Sequence, residues 1–510
     1  MLDRDALGRA SAMYRAAVET AWRTPLDGVG QFDDCDFTAL LGPTEGGWSF
    51  LMGAPTWRLV VDAAGRMATG PADAPKGAAV LDILRAEARR RAVQPENDAA
   101  AEFGAPLGSG LVGYVAYEFG GVLEPAARGP RTAALAKGVA SPAAQAPLLA
   151  FGAFDAVIAF DHARRRVFAM AAAPIREAAL ARAGRLAAWL ERAKPSEALS
   201  PALPVKAEPM AGARGAYAEA VARIIERILD GDIFQANLTR QISLGASAAP
   251  GATGAPFPSR AAYAALNAVS PAAYGAFLRI GRTDILSNSP EQFFGCRPTA
   301  GGLEMVSQPI KGTAPRSSNP DTDRRLAEGL RASAKDRAEN AMIVDLMRND
   351  FAKVCADGSI SVTRLCDLYS LPHLHHLVSE VRGVLRPGTC AIDALEALFP
   401  AGSITGAPKI RAMQILAEEE ESARGPYCGA IGYFDDGGGA EFNVAIRTLT
   451  VRQDPTGWAA SFGVGGGVTA RSDPEAEYLE TEHKAAAFEA ALQLLCGEGR
   501  GAPGARALPS

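Results

Sequence analysis

A layered fold of the α+β or α/β kind is predicted by three features of this sequence. From Tyr217 to about Cys496, strand-like runs alternate with amphipathic helical ones. At 510 residues and 48% hydrophobic composition, the chain can bury a large core. No self-similarity recurs at a solenoid or propeller period, so the layers are not built from repeats.

In chain order, residues 1–193 mix apolar runs such as Leu148 to Phe154, read as strands, with the alanine-rich Ala178 to Ala193, read as a helix. Lys194 to Arg214 carries four prolines among small residues and reads as an exposed linker, which sets residues 215–496 apart as a second region. There we expect a helix at Tyr217 to Asp230, a strand at Thr239 to Leu244 and a Gly/Ala/Pro/Ser-rich surface loop from Gly245 to Ser259. Strands around Tyr274 to Ile280 and Asp284 to Ser287 precede one long helix from about Arg324 to Arg348. A helix near Lys409 to Glu420, strands at Cys428 to Phe434 and Phe442 to Val451, a glycine-rich turn and a helix from Glu475 to Leu495 follow. The Gly/Ala/Pro-rich stretch of residues 497–510 is expected to be a disordered tail.

Net charge is -5 and no Lys/Arg block is long enough to follow a phosphate backbone, which argues against nucleic acid or an anionic membrane as partner. The charged Met1 to Asp5 leads into no signal-peptide core, and no apolar span is long enough for a bilayer, so a cytoplasmic protein is expected. Seven scattered cysteines without Cys-x-x-Cys spacing indicate neither a disulfide framework nor a zinc site.

Acidic residues recur at helical spacing in two places, Asp336 with Glu339 and Glu477 with Glu480. Two such helices facing one another would give an oxygen-rich pocket for Mg²⁺, although pairs at this spacing also belong to solvated helices. Phe462-Gly463-Val464-Gly465-Gly466-Gly467-Val468 offers bare backbone N–H groups to an anion, or is a tight turn. Gly402 to Lys409 places Ser403 and Thr405 before a proline-led helix start, which suits either an anion or a plain cap. The histidines of Pro372-His373-Leu374-His375-His376 lack zinc spacing. No Gly-x-Ser-x-Gly elbow and no glutaminase-like Gly-x-Cys-x-Gly turn is present. Lys311, in the glycine-opened Pro309-Ile310-Lys311-Gly312-Thr313, is either a solvated surface amine or one that burial leaves neutral and nucleophilic.

Together these segments resemble the chorismate-utilising enzymes, through Gly231 to Leu238, Ser287 to Glu291, Pro309 to Thr313, Lys335 to Asp350, Gly402 to Lys409 and Glu477 to Lys484. The N-terminal half resembles the family more loosely, through Gly47-Trp48-Ser49-Phe50 and Gly110 to Tyr117. The resemblance implies an anthranilate synthase component I-like β-sandwich with outer helices, both regions forming one compact unit. It implies Mg²⁺ held by Glu339 and Glu480, with Asp336 and Glu477 direct or through water. It assigns the pyruvyl carboxylate of chorismate to Arg447, Tyr427 and the backbone of Gly465 and Gly467, with Lys484 nearby. Ser403, His376, Gln235 and Thr313 would line the ring, and Glu291 would protonate the C4 hydroxyl as general acid.

Two positions point to a branch of the family. Water-adding members carry lysine where Gln235 stands, and anthranilate synthases carry alanine where Lys311 stands. The resemblance is therefore to aminodeoxychorismate synthase component I, in p-aminobenzoate and folate biosynthesis, fed with ammonia by a separate glutamine amidotransferase subunit. Asn340 supports that branch. Leu40-Leu41-Gly42-Pro43 departs from the tryptophan pocket of feedback-inhibited relatives, and Arg471 replaces a frequent aspartate. Anthranilate synthase component I and an inactive chorismate-binding regulatory protein are the alternative readings.

Overall fold

The computed structural model describes residues 13–496, apart from 33–34, 44–46, 71–78, 129–140, 193–204, 209–212, 247–255, 371–373 and 456. The expected tail, His373, most of the expected linker and most of the expected Gly245 to Ser259 loop lie outside the described residues.

Two large sheets form the body. Among the described residues the first has 13 strands, and its path runs Val205–Glu208, Gln235–Ala246, Gly457–Val468, Thr448–Asp454, Thr283–Ser289, Tyr274–Ile280, Phe37–Leu41, Trp48–Gly53, Ala156–Asp161, Arg166–Ala173, Met13–Thr20 and Val93–Asp98. Gly406–Ala407 pairs beside Gln235–Ala246. The second has 11 strands, and its path from Ile310–Pro315 runs through Leu374–Val384, Gly302–Gln308, Gln292–Thr299, Ala440–Val444, Ala430–Asp435, Gly110–Val115, Leu149–Phe154 and Trp57–Val61 to Met67–Thr69. Ser361–Ser370 pairs with Leu374–Val384. Strands from both halves of the chain share each sheet, and the expected linker contributes one of them, Val205–Glu208.

The side-chain period of two explains why the strands read as unbroken apolar runs. Ala39, Leu41, Phe50, Met52 and Ala276 of the first sheet pack against Val112, Tyr114, Ala150, Phe154 and Tyr433 of the second. Phe50 meets Tyr433 at 5.8 Å between ring centroids, and Phe37 meets Phe154 at 5.6 Å. The alternate residues Leu40, Leu51, Phe277 and Leu286 face outward, under the helices Arg176–Glu191, Ser259–Val269 and Pro474–Cys496. Leu111, Phe151 and Phe442 face the opposite way, under Val80–Arg91, Ala334–Ala352, Ala391–Leu398 and Lys409–Glu419. The chain is an α+β sandwich with outer helices, and no described helix is long and apolar enough to cross a membrane.

Three expectations are corrected, each at a place that shapes the site. The long helix from Arg324 to Arg348 is two, Pro320–Ala332 and Ala334–Ala352. Ser333 between them is extended, and its Oγ accepts from the Asp336 N–H, which caps the second helix. The strand Phe442 to Val451 is also two, Ala440–Val444 in the smaller sheet and Thr448–Asp454 in the larger. The chain changes sheets between them, where Arg447 takes a left-handed φ of 51°. The glycine-rich segment is no turn but the end of the strand Gly457–Val468.

Its glycines are needed because other groups press on the bare backbone. A Cβ on Gly463 would stand 2.0 Å from the Tyr427 ring, and one on Gly465 would stand 2.4 Å from the Leu238 carbonyl oxygen. The second obstacle is backbone in a paired strand and cannot swing aside. Gly465→Ala is therefore expected to destabilise the fold by about 1–3 kcal/mol, seen as a lower urea midpoint at unchanged slope.

Candidate active site

Lys311 lies in the edge strand Ile310–Pro315, whose pairing with Leu374–Val384 slips between Ile310 and Thr313. Gly312 makes that irregularity possible with φ 88°, and its missing side chain admits Asp336, whose Cβ is 3.0 Å from where a Gly312 Cβ would stand. The Lys311 side chain is 14% exposed. Its Nζ is 3.0 Å from Glu339 Oε1 and donates to the Ser403 carbonyl at 3.2 Å. Glu339 Oε1 also accepts from Gln235 Nε2 at 3.0 Å, while the buried Gln235 Oε1 has no partner among the described residues. The bland reading of Lys311 as a solvated surface amine is thus corrected: it is a partly buried amine with two acceptors.

Glu291 sits where the strands Thr283–Ser289 and Gln292–Thr299 meet, held by its N–H to Ser289 Oγ at 3.2 Å and its carbonyl to the Val444 N–H at 3.0 Å. Burial pushes its carboxyl up to about 7, against the opposing pull of the neighbouring Ser403 hydroxyl and the Lys311 charge. Ser403 approaches without good hydrogen-bonding geometry, so its buried Oγ has no partner. Glu291 is a carboxyl that can hold a proton at neutral pH beside a lysine, an acid and a cation in one cleft.

The second acidic pair leads the helix Pro474–Cys496. Glu477 is buried, with Oε1 accepting from Ser472 Oγ at 2.7 Å and Oε2 left without a partner. Burial, and then the nearby Glu480, raise its pKa while Ser472 lowers it. Burial also pushes Glu480 up, but Lys484, at 2.7 Å, carries it below the ordinary range. Lys484 donates as well to the Gly465 carbonyl at 2.7 Å. A Cβ on Gly466 would meet Glu477 Oε2 at 2.8 Å and Glu480 Oε1 at 3.6 Å, and one on Gly467 would meet Glu339 Oε1 at 2.8 Å. So Glu477, Glu480 and Glu339 converge on two successive glycines. Their hard oxygens, one of them buried and orphaned, suit a Mg²⁺ ion in kind. Among the described residues, however, no three His, Cys, Asp or Glu side chains stand gathered as a metal-binding group. Asp336 is turned away to its own cap, its carboxylate bonded to Ser333.

Arg447 and His376 form a third part. Arg447 donates to Ser270 Oγ at 3.3 Å, and among the described residues no carboxylate pairs with it. Burial pulls its pKa down, as expected of a desolvated guanidinium without a counter-charge. Its field reaches His376, which burial and then Arg447 hold below the usual imidazole range. His376 Nδ1 lies 3.1 Å from Thr313 Oγ1. Tyr427, buried, lies flat under Gly463. The buried Asn340 donates to the Leu377 carbonyl at 3.2 Å and accepts from Ser379, so it braces the strand that carries His376. The three parts supply a desolvated cation that suits an anion, a carboxyl able to hold a proton near neutrality, and an amine.

Sequence reasoning missed Ser270, an ordinary serine after a helix, and the buried Glu420 and Arg424, which fall outside every motif quoted above. A separate cavity of about 380 Å³ lies between the helix Ala213–Leu229, the strand Gln235–Ala246 and the chain after Lys409–Glu419. It is lined by Tyr217, Arg223, Thr239 and Glu418 to Glu421 and contains none of the expected site residues.

The family model described as chorismate binding enzyme matches residues 48–490. The chain is 39% identical to anthranilate synthase component 1 of Streptomyces coelicolor over 76% of its length and 73% of that protein's. It is 36% identical to the aminodeoxychorismate synthase of Streptomyces pristinaespiralis over 75% of its length, and 41% identical to aminodeoxychorismate synthase component 1 of Escherichia coli over 53%. It spans 51% and 56% of those two relatives. The solved anthranilate synthase component I of Streptococcus pneumoniae superposes with a TM-score of 0.69 at 26% identity, over 87% of this chain and 92% of that one. The menaquinone-specific isochorismate synthase of Escherichia coli shares the fold, with a TM-score of 0.68 at 17% identity over 94% of this chain and 95% of that one. The chain belongs to the family of chorismate binding enzymes.

Proposed function

We propose that this protein is an aminodeoxychorismate synthase component I, which converts chorismate and ammonia to 4-amino-4-deoxychorismate. The observation that carries the reading is Lys311, an amine held between Glu339 and the Ser403 carbonyl and close enough to lower the Glu291 carboxyl. Arg447, half-buried and without a carboxylate partner among the described residues, receives the pyruvyl carboxylate of chorismate with the buried Tyr427 and the Gly465 and Gly467 backbone. His376, Thr313, Ser403 and Gln235 border the ring.

In the first step a bond forms between Lys311 Nζ and ring C2 while the C4–O bond breaks, and the Glu291 proton leaves with the oxygen as water. In the second, ammonia bonds to C4, the C2–Nζ bond breaks, and the spare ammonia proton returns to Glu291. Blocking C2 directs nitrogen to the para position. The attacking amine must be neutral, so its contact with Glu339 has to loosen first. Glu339, Glu480 and Glu477 would hold a Mg²⁺ ion, which would supply positive charge to offset the ring carboxylate. Asp336 is left to a water-mediated role. Ammonia comes from a glutamine amidotransferase subunit: the sequence has no glutaminase motif, and two of the relatives are named as a component 1.

The second reading is anthranilate synthase component I, favoured by the 39% identity to the Streptomyces coelicolor protein. Purified protein with chorismate, Mg²⁺ and ammonium is expected to give the 4-amino product by chromatography. Anthranilate instead would establish the second reading, and no Mg²⁺-dependent consumption would leave a regulatory chorismate-binding protein. Lys311→Ala is expected to abolish the para product, whereas full turnover in that variant would refute the covalent role. Because Glu291 donates a proton and titrates at about 7, the rate at fixed free ammonia should fall as pH rises through that value. Glu291→Gln should remove this limb of the profile and slow turnover by roughly 100-fold or more.

A further inference from the structure

Arg424 is 1% exposed and has taken no part in the chemistry above. It ion-pairs with Glu420, Nη2 to Oε1 at 2.6 Å and Nε to Oε2 at 2.9 Å. Two further donors go to carbonyls, Nη1 to Ile404 and Nη2 to Asn237, each at 2.7 Å. Its guanidinium carbon stands 4.2 Å from the centre of the Tyr117 ring, and its own N–H donates to Glu118 at 2.7 Å. Glu420 Oε1 in turn accepts from the Thr239 N–H at 2.9 Å and Oγ1 at 2.8 Å.

Both carbonyls belong to segments that hold Lys311. Ile404 closes the single turn Gly402–Ile404, in which the preceding residue, Ser403, presents its carbonyl to Lys311 Nζ. Asn237 lies two residues along the strand from Gln235, whose amide fixes the Glu339 oxygen facing the same amine. Asn237 N–H donates to the Thr405 carbonyl and Phe234 N–H to the Ala407 carbonyl, each at 2.7 Å, so backbone pairing already joins the chain after the turn to the strand, and Arg424 adds a side-chain tie that reaches the turn itself at Ile404. A buried ion pair is weak evidence for stability, since apolar side chains of similar volume often serve as well. A guanidinium supplies what they do not, a rigid fork of donors aimed at chosen acceptors.

We propose that Arg424, oriented by Glu420, is a positioning residue that sets the Ser403 carbonyl and the Gln235–Glu339 contact around Lys311. The proposal rests on Lys311 being the attacking amine. It acts before ammonia is needed, on formation of the C2–Nζ bond with loss of water.

The test is the single-turnover rate at which chorismate and Mg²⁺, without ammonia, add to Lys311, followed by mass spectrometry of the Lys311 peptide. Chorismate affinity and melting temperature are measured on the same samples. Arg424→Met is expected to slow the addition by roughly 100-fold at nearly unchanged affinity, and Arg424→Lys to recover part of the rate. Glu420→Gln, which keeps the acceptor for Thr239 but frees the fork, should fall between them and serves if Arg424→Met does not fold. Folded variants that add at the wild-type rate, or that lose rate only in proportion to lost folded protein, would overturn the positioning role. A wild-type protein that forms the para product without any adduct would instead overturn the reading of Lys311 on which it rests.

Discussion

The site depends on one glycine-rich stretch of backbone, Gly463 to Gly467 at the end of the strand Gly457–Val468, in which only Val464 carries a side chain and packs it into the core. Tyr427 packs on Gly463, Lys484 takes the Gly465 carbonyl, Glu477 and Glu480 close on Gly466, and Gln235 and Glu339 close on Gly467. Side chains there would press on Tyr427, Glu477, Gln235 and Glu339, since the imagined Cβ atoms stand 2.0–2.8 Å from them. Glycine in a strand gives up packing and conformational restriction. Here that loss is offset by pairing with Gln235–Ala246 on one side and Thr448–Asp454 on the other.

Around that strand the charges are arranged in a way a purely structural cluster would not be. Arg447 is desolvated and, among the described residues, meets only a serine hydroxyl, on a left-handed residue where the chain passes between sheets. A desolvated charge without a counter-charge suits the anion-binding role proposed for Arg447. Burial pushes the Glu291 carboxyl up to about 7, so that it can hold a proton near neutrality, and among the described residues one Glu477 oxygen has no donor. Lys311 differs: it is answered, by Glu339 and by a carbonyl. Its reactivity therefore turns on how those two acceptors are held.

Much of this was legible in the sequence. The period-two apolar runs of Leu148 to Phe154 and Tyr274 to Ile280 gave strands with both faces covered, and the glycine-opened turn marked Lys311. What the sequence hid was long-range pairing. Phe442 to Val451 reads as one strand because neither side of Arg447 changes in hydrophobicity; only the sheet each half joins differs. Arg324 to Arg348 reads as one helix because a serine within it looks like any polar position until it becomes a cap. Asp336 has the spacing of a metal ligand, yet that cap claims it. Gly463 to Gly467 reads as a turn because nothing local shows what presses on it. Arg424 carries no local signal, its partners Ile404 and Asn237 being 20 and 187 residues away.

The central claim is that the Lys311 amine, and not bulk ammonia, makes the first bond to chorismate. It is tested most directly by quenching the wild-type protein with chorismate and Mg²⁺ in the absence of ammonia and weighing its peptides. The account predicts a single modified peptide containing Lys311, heavier by chorismate less one water, which disappears when ammonium is added as the 4-amino product forms. Formation of that product with Lys311 never modified would contradict it.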